Sequence, residues 1–245
     1  MPRMLDPDMQ VLNTANGHFQ FSGVRPEHLD ATEYTLVSIV IDTTSSVSHF
    51  AKELLDTLVA VIDACRHSPR ADYLLVRVTT FNNDSSEVHG YKLLNMIRPD
   101  AYQPFQCNGA TALYDAAEDG IASLLSYAKT LTDQDFNANG IVFIITDGED
   151  NSSRLANPKA IARLQQAAYR QEVLESLCTI LVGVNAAHCR KSLQAFQKNA
   201  QLTQYIEVGA ANGSALAKLA NFVSQSIRTQ SQALGSGGAS IPLSF

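Results

Sequence analysis

Residues 35–46 read TLVSIVIDTTSS. Six of the first seven, all but Ser38, are apolar or β-branched, the composition of a strand that packs on a pleated surface. The run stops at Asp42 and is followed by four hydroxyl residues. Beyond them Phe50, Leu54, Leu58, Ile62 and Cys65 recur every three or four residues, which is one face of a helix. A strand, a polar loop and an amphipathic helix in this order make the opening half of a βαβ unit.

The same alternation continues along the chain. Residues 73–81 (YLLVRVTTF) predict a second strand, and Asn82, Asn83, Asp84 and Ser85 a turn. Residues 88–97 predict a third strand. The link of about six residues is too short for a parallel crossover, so this strand runs antiparallel to the second. A loop with Pro99, Pro104 and Gly109 leads to a helix over 112–129. Residues 141–146 (IVFIIT) form an uninterrupted apolar run, as expected of a strand buried on both faces. Asn157-Pro158 opens a helix reaching to about Ser176, with Asn as cap and Pro at its first position. Strands at 179–184 and 204–208 and helices at 187–200 and 213–230 complete the series. Such alternation predicts a doubly wound α/β domain, a mostly parallel six-stranded sheet with one antiparallel strand and helices on both faces. The domain is expected over residues 34–232. Residues 1–33 form an N-terminal arm, with a weak alternation at Phe19, Phe21 and Val24 that suits a strand or latch packed on the domain. Residues 233–245 form a flexible Gly/Ser-rich tail ending in an apolar pentapeptide.

Composition narrows the function. Apolar residues make up 45% of the 245 and charged residues 17%, a balance that supports a packed core rather than a disordered chain. The net charge is -6 and no basic run exists, so nucleic acid is not an expected partner. No stretch of about 18 apolar residues is present, which excludes a membrane-spanning helix from the expectation. Cys65, Cys107, Cys178 and Cys189 form no C-x-x-C pair and have no histidines at zinc-finger spacing. With no secretory signal at the start of this sequence, free thiols and a cytoplasmic location are expected.

In open parallel sheets, ligands bind outside the carboxyl ends of the strands where strand order reverses. The residues that follow the buried strands therefore carry the chemistry. Asp42, Thr44 and Ser46 follow the first, two apart, so that they share a side in an extended or gently turning loop. Asp147-Gly148-Glu149-Asp150 follows the run at 141–146, and Gly109-Ala110-Thr111 precedes the second helix. Carboxylates and hydroxyls are hard oxygen donors that suit Mg²⁺ or Mn²⁺. A cation held largely by neutral hydroxyls keeps most of its charge and seeks an anionic ligand from outside.

These three segments resemble the metal-ion-dependent adhesion site of von Willebrand factor type A domains. That site has a D-x-S-x-S element, a distant Thr and a distant Asp. Here the elements are D-x-T-x-S at Asp42, Thr44 and Ser46, then Thr111 in G-x-T-x-L-Y-D-A, then Asp147 in T-D-G. Thr44 stands where the family usually has Ser, a change that keeps the hydroxyl and stiffens the side chain. The resemblance spans residues 34–230 and implies the strand order 3-2-1-4-5-6 with the third strand antiparallel. It implies that Thr44, Ser46 and Thr111 bind the metal directly, and that Asp42 and Asp147 act largely through coordinated water. The metal would be Mg²⁺, with Mn²⁺ and Ca²⁺ as alternatives. The implied function is an adaptor or scaffold without enzyme activity. A partner protein would supply an acidic residue to the metal, the partner classes being a kinase, a phosphatase or an AAA+ ATPase.

Blander readings compete at each position. Asp42, Thr44 and Ser46 also suit a helix cap, Asp147-Gly148 a turn, and Asp115 a residue that braces the loop from its helix rather than binding metal. Glu149 and Asp150 would compete with an outside carboxylate if either folded over the metal. Two other functions are consistent with the sequence. One is a Mg²⁺-dependent phosphohydrolase with Asp42 as nucleophile, although Thr44 stands where a general acid would be needed and no phosphate-binding glycine loop is present. The other is a structural subunit of a bacterial stress or defence assembly, with a vestigial metal site and contacts made through arm and tail.

Overall fold

The computed structural model describes residues 7–170, 173–209, 212–236 and 243–245. Its elements are β1 (Met9–Asn13), β2 (Gln20–Val24), β3 (Glu33–Asp42), α1 (Ala51–Arg66), β4 (Leu74–Phe81), β5 (Ser85–Leu93), α2 (Leu113–Thr132), β6 (Asn137–Thr146), α3 (Pro158–Arg170), β7 (Leu177–Val184), α4 (Arg190–Ala200), β8 (Gln204–Val208) and α5 (Gly213–Ser236). They build one sheet in the order β1-β2-β5-β4-β3-β6-β7-β8. The sheet is sandwiched by α1 and α5 on one face and by α2, α3 and α4 on the other.

The strand with the TLVSIVI run, β3, lies at the centre and pairs in parallel with both β4 and β6. Its period-2 alternation splits its apolar residues between two cores. Leu36 and Val40 pack with Ile121, Leu124 and Ile144 under α2. Val37, Ile39 and Ile41 pack with Leu54, Leu58 and Val223 under α1 and α5. A strand covered on both faces is buried at nearly every position and mostly apolar, and β6 and β7 share that pattern. Gly120 lets α2 approach the sheet closely, since a Cβ there would stand 2.7 Å from Cγ2 of Val40.

Six of the strands match the expected set and order, and β5 runs antiparallel to β4. The expected count of six is corrected to eight. The two further strands come from within the first 33 residues. They form a hairpin, β1 antiparallel to β2, and β2 lies beside β5 with Gly23 opposite Tyr91. Side chains hold the hairpin more than a ladder does. Glu87 of β5 accepts hydrogen bonds from the Ser22 amide and hydroxyl. Tyr127 of α2 donates its hydroxyl to the Val24 carbonyl at 2.6 Å. Phe21 packs edge-on against Tyr91 and Tyr127, which stack on each other at 4.9 Å. The approach requires glycine at position 90, where a Cβ would stand 2.0 Å from the Ser22 carbonyl oxygen. Beneath the hairpin the buried Arg77 guanidinium donates to Glu87 at 2.8 Å, to Ser123 at 2.9 Å and to Asp119 at 3.2 Å. A charge so deeply placed is tolerable only with such a full set of acceptors.

Several boundaries differ from expectation for local reasons. The third strand begins at Ser85 and ends at Leu93, where the chain turns through a short 3-10 helix at Leu94–Met96. The third helix ends at Arg170 rather than near Ser176, because the Glu175 amide and the Ser176 carbonyl bond the backbone of β6 instead. The last helix runs to Ser236, beyond Gln230 and into the expected tail. Gln230 is buried there and donates its amide to the Gly140 carbonyl and to Ser176. The remainder of the Gly/Ser stretch lies outside the described residues. At the C-terminal end Phe245 sits edge-on against Phe222 of α5 at 5.4 Å. Among the described residues no helix is long and apolar enough to cross a membrane.

Candidate metal and ligand site

The connection after β3 leads to α1 on one face, and the connection after β6 leads to α3 on the other. The strands are neighbours, with Ile41 opposite Ile145. The carboxyl ends of β3 and β6 are thus the point where the winding reverses and a crevice opens. That register brings Asp42 beside Thr146 and Asp147.

Asp42 is fully buried. One carboxylate oxygen accepts the Thr44 amide at 2.8 Å and the other accepts the Thr146 hydroxyl at 2.6 Å. Burial pushes its pKa up to about 6, the hydrogen bonds from Thr146 and Thr44 oppose the shift, and the charge of Asp147 adds to it. Thr44 is extended and Ser46 lies in a 3-10 turn, Ser45–His49. Their hydroxyls nonetheless meet, with Oγ1 of Thr44 and Oγ of Ser46 3.0 Å apart. Ser46 then donates to Oδ1 of the buried Asp147 at 2.8 Å. Asp42, Thr44, Ser46 and Asp147 are therefore linked along one sheet edge. Thr111 reaches the same place from another loop, its Oγ1 3.9 Å from where a Cβ would stand on Gly148.

Backbone bonds hold the Thr111 loop against the loops that follow β3 and β4. The Asn108 amide donates to the Thr43 carbonyl at 3.0 Å, and the Ala112 amide to that of Asn82 at 2.8 Å. Gly109 takes φ 78°, a left-handed conformation that glycine adopts without strain. The third loop, residues 147–156, is tied to the first turn of α2 in both directions. The Asn151 side chain accepts the Thr111 amide at 2.8 Å, and the Asn151 amide donates to the Thr111 carbonyl at 2.9 Å. The Asp115 carboxylate accepts the amides of Arg154, Leu155 and Ala156 at 2.7 to 3.0 Å, the bracing role weighed for it from the sequence. Asp150 accepts the Tyr114 amide at 3.2 Å and the Ser153 hydroxyl. It is thereby committed to the helix N-terminus and not folded over Ser46, while Glu149 is exposed.

Thr146 and Asn151 are positioning residues that the sequence reading did not single out. Thr146 could have been found from its place as the last residue of the IVFIIT run, level with the strand end at Asp42. Asn151 carries no signal of its own, since its role depends on a loop 40 residues away in sequence. All four cysteines are free thiols. Burial and the nearby carboxylates Asp42 and Asp147 raise the pKa of Cys107, so its reactive thiolate is disfavoured.

Among the described residues no three His, Cys, Asp or Glu side chains gather as a metal-binding group. The oxygen set here holds two carboxylates and three hydroxyls. Neither carboxylate forms an ion pair with a described residue. Two buried or nearly buried negative charges without a cation are costly, and an oxygen-only donor set of this kind fits a hard divalent ion.

No protein-family model matches the sequence, and no curated protein does. Solved structures match the fold. The chain is similar to the PilB minor pilin from Streptococcus sanguinis, at TM-score 0.58 and 16% identity over 89% of this chain and 66% of that one. It is similar to proximal thread matrix protein 1 from the mussel byssus with a zinc-occupied MIDAS motif, at TM-score 0.51 and 17% identity, covering 82% of this chain and 46% of that one. It is similar to the pilus adhesin SpaC from Lactobacillus rhamnosus GG, at TM-score 0.55 and 11% identity, covering 91% and 35%. The chain thus spans between one third and two thirds of these proteins. At such identities the likeness establishes the architecture, which is von Willebrand factor A-like.

Proposed function

We propose that this chain is a metal-dependent protein-interaction module. Asp42, Thr44, Ser46, Thr111 and Asp147 would hold a divalent cation, Mg²⁺ by the hardness of the donors, and a partner's Asp or Glu would complete its shell. The bound ion would supply a positive charge that the neutral hydroxyls leave largely uncancelled. The observation that carries the reading is the linked set Asp42–Thr44–Ser46–Asp147 on the edge of a buried sheet, its two carboxylates in no ion pair with a described residue. The zinc-occupied MIDAS motif of the mussel byssus protein adds support by likeness of fold. Binding is favoured over turnover, because the carboxylate that would have to act as nucleophile, Asp42, is fully buried and accepts a hydrogen bond at each oxygen. The four free thiols suit a reducing compartment.

Thermal unfolding against Mg²⁺ and Mn²⁺, with chelator as baseline, tests the proposal. An ion at about ten times its Kd adds roughly 1.4 kcal/mol. For a chain of this size that raises Tm by about 3–5 °C. The shift is expected in the wild type and absent in Asp147→Ala. Equal curves with and without metal up to about 10 mM, a generous ceiling for weak sites, overturn the reading.

A further inference from the structure

The crevice is flanked by two clefts that differ in size and charge. One, of about 240 Å³, lies toward α4 and includes Tyr114, Phe196, Glu149 and Asp150 in its walls, with no Lys, Arg or His among them. The other, of about 730 Å³, opens between β5 and residues 96–108. It begins at Thr43 and Asn108, next to the candidate metal residues, and its apolar surface includes Phe81, Met96, Tyr102 and Phe105. One wall is pinned. The rings of His89 and Tyr102 stack at 5.9 Å with 9° between planes, and Nε2 of His89 lies 2.9 Å from the Tyr102 hydroxyl. Nδ1 of His89 donates to the Gly90 carbonyl at 2.9 Å, so Nε2 is the acceptor for Tyr102. The rim of this cleft carries Lys92 and Arg98 against Asp84 and Glu87; Arg98 is also ion-paired with Asp100 at 3.2 Å, and Glu87 is bonded to the buried Arg77.

We propose that the partner presents an extended segment whose carboxylate meets the cation and whose large apolar side chain, two or three residues away, lodges in the cleft between β5 and residues 96–108. This rests on the metal-dependent reading above and adds the second anchor and its direction. Charge sets the direction, since a segment carrying an acid is repelled by Glu149 and Asp150 on the α4 side, where no cation lines the cleft, and meets Lys92 and Arg98 among the acids on the β5 side. The spacing follows from geometry. Thr43 adjoins Thr44, and an extended peptide advances about 3.3 Å per residue, so two or three residues carry it from the ion into the cleft. A volume of about 730 Å³ admits a large side chain with room for its flanking backbone.

The test is selection of a phage-displayed random decapeptide library on the full chain in Mg²⁺, with elution by chelator. The enriched peptides are expected to combine an acidic residue with an aromatic or large aliphatic residue two or three positions away. A synthetic peptide of that consensus is expected to bind Phe105→Ala about tenfold more weakly, while the Mg²⁺-dependent Tm shift of that variant stays that of the wild type. Arg98→Glu, on the exposed rim, is expected to weaken the same peptide. Acidic enrichment without an apolar partner, or apolar preference unchanged in Phe105→Ala, overturns the cleft and leaves the metal reading standing. No enrichment, or enrichment of apolar peptides that chelator does not release, also overturns it. Loss of the Mg²⁺ shift in the wild type overturns both.

Discussion

Replacing Asp42 by Asn is expected to make the metal-free chain more stable at neutral pH. The carboxyl is fully buried and its pKa stands at about 6 rather than 3.8. The folded chain therefore binds this proton more tightly than the unfolded chain. The resulting stabilisation is whole below about pH 3.8 and is lost as pH rises through 6. At 1.36 kcal/mol per pH unit, the ionised group burdens the fold by about 3 kcal/mol at pH 8. Asn removes the charge at nearly constant shape. Its oxygen can still accept the Thr44 amide, now at 2.8 Å, and its NH₂ replaces the oxygen that accepts from Thr146. Thr146 can turn its proton to the Gly148 carbonyl, 3.1 Å away. Allowing about 1 kcal/mol for the altered bond leaves a gain of about 2 kcal/mol. That corresponds to a rise in Tm of about 4–8 °C. The assay is thermal or urea unfolding of both proteins in chelator at pH 8 and pH 4. The gap is expected to be wide at pH 8 and to close at pH 4, and the Mg²⁺ response is expected to vanish in the variant. A variant less stable than wild type at pH 8, or a gap that pH does not change, refutes the account of Asp42 as a charge buried without a counterion.

Other perturbations follow from the same geometry. Gly90→Ala forces a methyl to within 2.0 Å of the Ser22 carbonyl, so the β1–β2 hairpin should lift and stability fall by about 3 kcal/mol, read by urea unfolding and by proteolysis within residues 7–24. Arg77→Met leaves the buried Asp119 unpaired and should lower stability by about 3–5 kcal/mol; adding Asp119→Leu should recover most of the loss in the same assay. Asp115→Ala strips three amides of the 147–156 loop of their acceptor and should cost about 2–3 kcal/mol. It should also weaken the Mg²⁺-dependent Tm shift, although Asp115 is not among the residues proposed to hold the metal.

The parallel core was legible because its physics is local. The runs at 35–41 and 141–146 are short, rich in β-branched residues and apolar at nearly every position, which suits a strand covered on both faces. The short link after Phe81 likewise admitted only an antiparallel partner. The hairpin was not legible as part of the sheet. Its second strand, QFSGV, buries Ser22 and Gly23 among other residues, so alternation is lost. What seats it is a carboxylate at position 87 and a phenol at position 127, far away in sequence. The site divides in the same way. The hydroxyls and carboxylates after β3 and β6 stand out in the sequence because they interrupt apolar runs. Asn151 and Asp150 act as backbone caps that appear only when loops about 40 residues apart meet, and the sequence suggested a brace at Asp115 without showing which amides it would bind.

The central claim is that a divalent ion is held by Asp42, Thr44, Ser46, Thr111 and Asp147. Paramagnetic broadening of backbone amide signals by Mn²⁺ locates such an ion directly. At substoichiometric Mn²⁺ the amides of residues 43–46, 110–112 and 147–149 are expected to broaden first, with Mg²⁺ restoring them and Asp147→Ala abolishing the effect. Broadening centred elsewhere, such as the exposed Asp100 or Asp133, or broadening unchanged in Asp147→Ala, would contradict the account.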